Sequence, residues 1–208
     1  MEYDDIISLY GAEIPGRVRY KENGDPDFSH FSHTDLTSIA VPLLMKMGCS
    51  IAAAEIKTNI QEIPDAWGLM DDGTSILIEC KTNTLDFERD LSKVSRNGRN
   101  LALGAYRYYF ITEEQAANHK YNVKQLPRYW GLLVLRAPTD DSSKKFKLPI
   151  TFSDITIGAE IVEVKKPISN PVRNLRGELM VLSKICAADR KYEQDHLIMK
   201  RNYKEYDF

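Results

Sequence analysis

The chain has few cysteines and no long apolar run. Cys49, Cys80 and Cys186 are odd in number, widely separated and without a C-x-x-C pair, which argues against a disulfide framework or a zinc knuckle. Reduced core thiols are expected. No stretch reaches the ~18 consecutive apolar residues of a membrane-spanning helix, and the opening MEYDDII has no basic leader. A cytoplasmic protein without a membrane segment is therefore expected. Histidine is also scarce, with four in the chain. His30 and His33 have a ligand-like spacing but no matching second pair, so they read as loop and cap residues rather than zinc ligands. Heptad repeats and an aromatic-rich RNA-binding signature are absent as well. What remains is a chain of 208 residues, 43% hydrophobic and 28% charged, ordinary for one globular domain with a substantial core.

The formal net charge of −2 hides an asymmetry. Residues 1–90 carry 7 Lys/Arg against 17 Asp/Glu, whereas residues 91–208 carry 21 against 13. An acidic first half followed by a basic second half suits a metal site in the one and a grip on a phosphate backbone in the other. A merely solvated charged surface accounts for the same counts.

Chemistry concentrates between Pro64 and Lys81, PDAWGLMDDGTSILIECK. Ile76 to Ile78 follow a turn signal and read as a buried strand whose polar groups, Glu79 and Lys81, come only at its end. A two-residue turn at Asp72-Gly73 would set Asp65 opposite Cys80. A three-residue loop, Asp71-Asp72-Gly73, with Gly73 as its left-handed residue, instead pairs Met70 with Thr74 and sets Asp65 opposite Glu79. The second register is preferred because it sorts Ala66, Met70, Ile76, Ile78 and Cys80 onto one apolar face. It gathers Asp65, Glu79 and Lys81 on the other. Two adjacent carboxylates repel unless a cation lies between them, and Mg²⁺ is a cation that one or two carboxylates plus waters can hold.

Pro64-Asp65 followed by Glu79-Cys80-Lys81 resembles the motif of the PD-(D/E)xK nuclease superfamily. Asp86-Phe87-Glu88-Arg89-Asp90 extends the likeness to its MmcB-like, DNA-repair-associated branch, in which a D-F-x-x-D helix start follows the E-x-K strand. The resemblance covers Leu36 to Pro167, with the central motif its specific part. It implies a restriction-endonuclease-like core and a nuclease dependent on Mg²⁺ or Mn²⁺ that cleaves phosphodiesters, with DNA as the expected partner. Asp65 and Glu79 would be ligands together with the Cys80 backbone carbonyl, and Lys81 would stand beside the nucleophile. An additional acidic residue often completes such sites. Glu55 is the candidate, with Asp35 as its competitor and an edge-strand ion pair as the plain alternative. Members that bind nucleic acid or proteins without cutting keep a non-enzymatic reading open. Many members act as homodimers, although nothing in this sequence marks an interface.

Elsewhere the pattern predicts a mixed α/β domain, a central mixed β-sheet flanked by helices, with the triad at one sheet edge. Residues 1–32 read as an irregular arm with a short helix near Asp4 to Tyr10, 33–168 as the core, and 169–208 as a C-terminal helix and polar tail. Leu36, Ile39, Ala40, Leu43, Leu44 and Met47 predict a helix capped by Ser32 or Thr34, stopped at Gly48 and kinked or broken at Pro42. Ser50 to Lys57 predicts the first strand. Asn83 is expected to cap a helix from Thr84, with Leu85, Leu91 and Val94 towards the sheet. On another face Arg89, Lys93 and Arg96, with Arg99 beyond them, form a row able to meet successive phosphates, with an ion pair to Asp86 or Asp90 as the alternative for Arg89. Arg107 to Thr112 and Tyr129 to Arg136 read as strands, Thr139 to Lys147 as a lysine-bearing loop, and Ile161 to Val164 as a last short strand. Asn170-Pro171 is expected to start the C-terminal helix.

Overall fold

The protein is described from a computed structural model over residues 11–59, 62–92, 102–117, 123–139, 145–153, 155–188 and 197–200. The expected helix at Asp4 to Tyr10 lies outside them, as do Val94 and the phosphate-row candidates Lys93, Arg96 and Arg99. In chain order the elements are β1 (Ala12–Glu13), α1 (His33–Lys46), β2 (Ile51–Ala54), β3 (Ala66–Leu69) and β4 (Ser75–Cys80). There follow α2 (Thr84–Leu91), β5 (Tyr106–Thr112), α3 (Glu113–Ala117), β6 (Trp130–Arg136), β7 (Lys145–Thr151), β8 (Thr156–Lys165), α4 (Leu175–Cys186) and β9 (Ile198–Lys200). Among these residues the strands form one mixed sheet of nine, ordered β1-β7-β8-β6-β5-β4-β3-β2-β9. β4, β5 and β6 run parallel to one another, β1 runs parallel to β7, and the other neighbours are antiparallel. No helix among the described residues is long and apolar enough to cross a membrane.

The alternation of side chains along the strands divides the core into two layers. Ala66, Ile76, Ile78 and Cys80 face α1 and pack with Leu36, Ile39, Leu43 and Leu44, with Met70 against the same layer. Trp67, Leu77, Tyr109, Ile111 and Trp130 face the other way and pack with Phe87 of α2 and with Val181 and Ile185 of α4. The apolar set predicted for one face of the β3–β4 hairpin is the set that meets α1.

α1 begins where Ser32 closes a capping box: Asp35 N–H donates to Ser32 Oγ, and Ser32 N–H donates to Asp35 Oδ2. It ends before Gly48, at φ +102°, a conformation glycine adopts without strain. The expected break at Pro42 does not occur, for the helix runs unbroken through it with Val41, Pro42 and Leu43 all buried. Burial against the sheet outweighs the one backbone hydrogen bond that proline forfeits.

Several boundaries differ from expectation. The arm supplies β1, and its Ala12, Ile14, Phe28 and Phe31 are buried in the α1-side core. The first predicted strand is shorter, stopping at Ala54. The lysine-bearing segment enters β7, where Leu148 and Ile150 are buried between β1 and β8. β8 is ten residues long, extending well before Ile161. The C-terminal helix is capped by Asn174, not Asn170. Asn170 is buried, its backbone N–H donating to Ala105 O and its Oδ1 accepting from Val172 N–H. Cys49 and Cys80 are buried thiols as expected, but Cys186 is exposed at the end of α4.

Candidate active site

The loop between β3 and β4 has the three-residue geometry. Met70 N–H donates to Thr74 O (2.8 Å), Gly73 N–H to Met70 O (3.0 Å), and Gly73 sits at φ +80°. The ladder then pairs Leu69 with Ser75 and Ala66 with Ile78. Continued one residue beyond the ladder, the same register sets Asp65 opposite Glu79. Asp65 lies just before β3 and its Oδ2 accepts the Cys80 N–H at 2.7 Å. Lys81 N–H donates to Phe110 O (3.0 Å) on the parallel neighbour β5. The two sides of the β4 end are therefore held by different partners, and the Cys80 edge is the one against Asp65. β4 has three strands on one side of it and five on the other, so the site lies at the end of an interior strand rather than at a sheet edge as expected. An interior strand is backed by core on both faces, which fixes its side chains more tightly than an edge could.

Glu79 and Lys81 share the face opposite α1, and each is 4% exposed. Their charged ends stand 3.4 Å apart. The Lys81 ammonium also lies 3.5 Å from Asp86 Oδ2 and 3.8 Å from Asp90 Oδ1, both on α2. Burial alone would lower the Lys81 pKa, but Glu79, Asp90, Asp65 and Asp86 together outweigh it and hold the ammonium charged above its ordinary value. Asp90 is buried and accepts the Tyr109 hydroxyl hydrogen bond at 2.8 Å.

Asp65 has a histidine partner of its own. His33, the first residue of α1, brings Nε2 to 3.1 Å from Asp65 Oδ2. That hydrogen bond raises the His33 pKa; burial and Lys81 oppose the rise, while the charges of Asp65 and Glu55 add to it. Glu55 follows β2 at φ +50°, rare for a residue with a side chain. Its N–H donates to Asp65 O (3.2 Å) and its side chain is exposed. Glu55 is thus tied to Asp65 through the backbone and stands at the margin of the cluster. Its competitor Asp35 is committed to the α1 capping box. The Cys80 thiol points into the α1-side core, where burial pushes its pKa well up, so the backbone of Cys80 is what reaches the site.

The structure therefore brings Asp65, Glu79 and Lys81 together as predicted and adds His33, Asp86 and Asp90. A sequence signal existed for the last two, since a D-x-x-x-D spacing puts both carboxylates on one helical face. No local signal marks His33, because its approach to Asp65 depends on how α1 crosses the end of the sheet. On α2, Phe87 and Asp90 are the buried positions, whereas Leu85, expected towards the sheet, is 64% exposed. Arg89 is exposed, as a phosphate contact would need.

The oxygen donors fit a hard divalent ion of modest demand. Asp65 and Glu79 offer two carboxylates at the end of one strand pair, and one or two carboxylates plus waters are what Mg²⁺ usually takes from a protein. Among the described residues no three His, Cys, Asp or Glu side chains are grouped as a cage for a metal ion. A site completed by water and substrate fits better than an all-protein cage.

No known family profile matches the chain, and no curated protein does. Among solved structures, a protein of unknown function from Silicibacter pomeroyi is similar at 18% identity and a TM-score of 0.41, the match covering 69% of this chain and 78% of that one.

Proposed function

We propose that this protein is a Mg²⁺- or Mn²⁺-dependent nuclease that hydrolyses phosphodiester bonds in DNA, on a restriction-endonuclease-like core. The observation that carries this reading is the hairpin register, which sets Asp65 against Glu79 and places Lys81 on the face of Glu79. Asp65, Glu79 and the Cys80 carbonyl would hold the ion. When bound, such an ion polarises a phosphoryl oxygen and acidifies a water. Lys81, kept protonated by its carboxylate neighbours, offsets charge on the phosphate as the bond breaks and can orient the attacking water. Burial of Glu79 and Lys81 excludes bulk water and strengthens both effects. Arg89, exposed on α2, and the positions Lys93, Arg96 and Arg99 beyond it are the proposed contacts to the DNA backbone.

One observation favours a second reading, a nucleic-acid- or protein-binding module that does not cut. Asp65 is already paired with His33, and Glu79 with Lys81, so each carboxylate of the motif has a side-chain partner without a metal.

Calorimetric titration of Mg²⁺ and Mn²⁺ into the wild type and Glu79→Gln, beside incubation with duplex, branched and single-stranded DNA and RNA, separates the two. Metal binding lost in the variant together with metal-dependent cutting supports the nuclease. Metal binding equal in both proteins, with every substrate intact, selects the binding module.

A further inference from the structure

Lys81 has carboxylates on two sides, Glu79 on its own strand and Asp86 and Asp90 on α2. The two α2 carboxylates differ. Asp86 is half exposed, free to trade Lys81 for water. Asp90 is buried and divides its oxygens, Oδ1 towards Lys81 at 3.8 Å and Oδ2 accepting from the Tyr109 hydroxyl at 2.8 Å.

Tyr109 is itself immobilised. It pairs directly with Glu79 across the β4–β5 ladder. One face stacks on Trp130, centroids 4.3 Å apart and planes at 20°, and Phe87 meets the ring edge-on at 5.0 Å and 72°. Trp130 in turn carries the Arg107 guanidinium 4.2 Å from its ring centroid, and Arg107 is ion-paired with Glu62. A rigid aromatic column therefore ends in a single hydroxyl aimed at the carboxylate that faces Lys81.

We propose that Tyr109 and Asp90 are positioning residues for Lys81. The hydroxyl fixes the Asp90 carboxylate, and Asp90 gives the ammonium a fixed counter-charge on the α2 side in addition to its hydrogen bond to Glu79, so that the position of the ammonium is set from two elements. This assignment rests on the nuclease reading for its catalytic consequence, but the clamp itself is a property of the folded protein. Tyr109 contacts neither substrate nor metal in this scheme. It acts through Asp90 on where the ammonium stands, and a displacement on the order of 1 Å can cost up to about 100-fold in rate.

The test uses the full chain as wild type, Tyr109→Phe, which keeps the ring and its stacking, and Asp90→Asn, which keeps an acceptor for Tyr109 but removes the charge. Two readouts are taken. The first is steady-state cleavage of the DNA panel in Mg²⁺. A kcat lowered about tenfold or more in both variants, with KM and the melting profile retained, is expected; unchanged kcat, or a change confined to KM, overturns the proposal. The second is proton–nitrogen NMR of the Lys81 ammonium in lysine-labelled protein, assigned through Lys81→Arg, without metal or DNA. A protected ammonium signal in the wild type that shifts or is lost in Tyr109→Phe is expected; a signal identical in the two overturns the clamp. Should the wild type cut no member of the panel, the nuclease reading fails, and the ammonium signal alone then decides the clamp.

Discussion

Lys81 is the residue on which the electrostatics of the site turn. It is the buried cation among Glu79, Asp86 and Asp90, and those carboxylates raise its pKa against the pull of burial. Replacing it by Met keeps most of the stem's volume but strands the carboxylates. The expected cost is about 3–5 kcal/mol, as for other buried pairs broken from one side, read as a fall in the urea midpoint without metal. Because a divalent ion would then be the remaining compensation, Mg²⁺ should raise the melting temperature of Lys81→Met more than that of the wild type. An equal shift in the two proteins would count against metal binding beside Glu79. At this scale Asp65, Glu79 and Lys81 were legible because alternation and a turn type fix which strand side chains meet. His33 reads from the sequence as a loop or cap residue, and it is the first residue of α1; that it also reaches Asp65 is a tertiary fact with no periodicity to announce it.

Elements succeed or fail on the strength of their local signals. Ser32 Oγ accepts the Asp35 N–H and Asp35 Oδ2 accepts the Ser32 N–H at the start of α1, so Ser32→Ala should cost about 1 kcal/mol by equilibrium unfolding. Fraying there should also loosen His33 from Asp65. β6 passes β5 and β8 closely at Gly131, where an added Cβ would stand 2.6 Å from the Tyr108 ring and 2.8 Å from Lys165 O. Neither the ring nor the backbone can yield cheaply, so Gly131→Ala should destabilise by about 1–3 kcal/mol, visible as an earlier thermal unfolding midpoint. The hairpin and the α1 and α2 caps were legible because each is encoded within a few residues. β7 was not, since its lysines and Pro149 imitate a loop; Leu148 and Ile150 reveal a strand only once β1 and β8 are known to enclose them. The sequence carries a decoy for the start of α4. Asn170-Pro171 has the chemistry of a helix start, but Asn170 is spent on Ala105 and Val172 while Asn174 caps.

For the whole molecule, the unanticipated parts are the outermost strands. β1 and β9 contribute two and three residues, too few for any pattern to show in a sequence. Their value lies in what they cover: Ile14, just past β1, is 4% exposed among the residues that pack on α1. Ile14→Ala should therefore cost about 2–5 kcal/mol, a loss measurable by urea unfolding and out of proportion to the shortness of the strand. Both edges also have a mechanical meaning. β1 comes from early in the chain and β9 from late, and they border opposite sides of the sheet. Eight strand spacings separate them, roughly 38 Å at about 4.8 Å each. A pulling force applied between Glu13 and Met199 would then act across the strands rather than along them, peeling ladders one after another from the rims. The interior strand that carries Glu79 lies three strands from the nearer rim, so the grip on its side chains should outlast the loss of either edge strand.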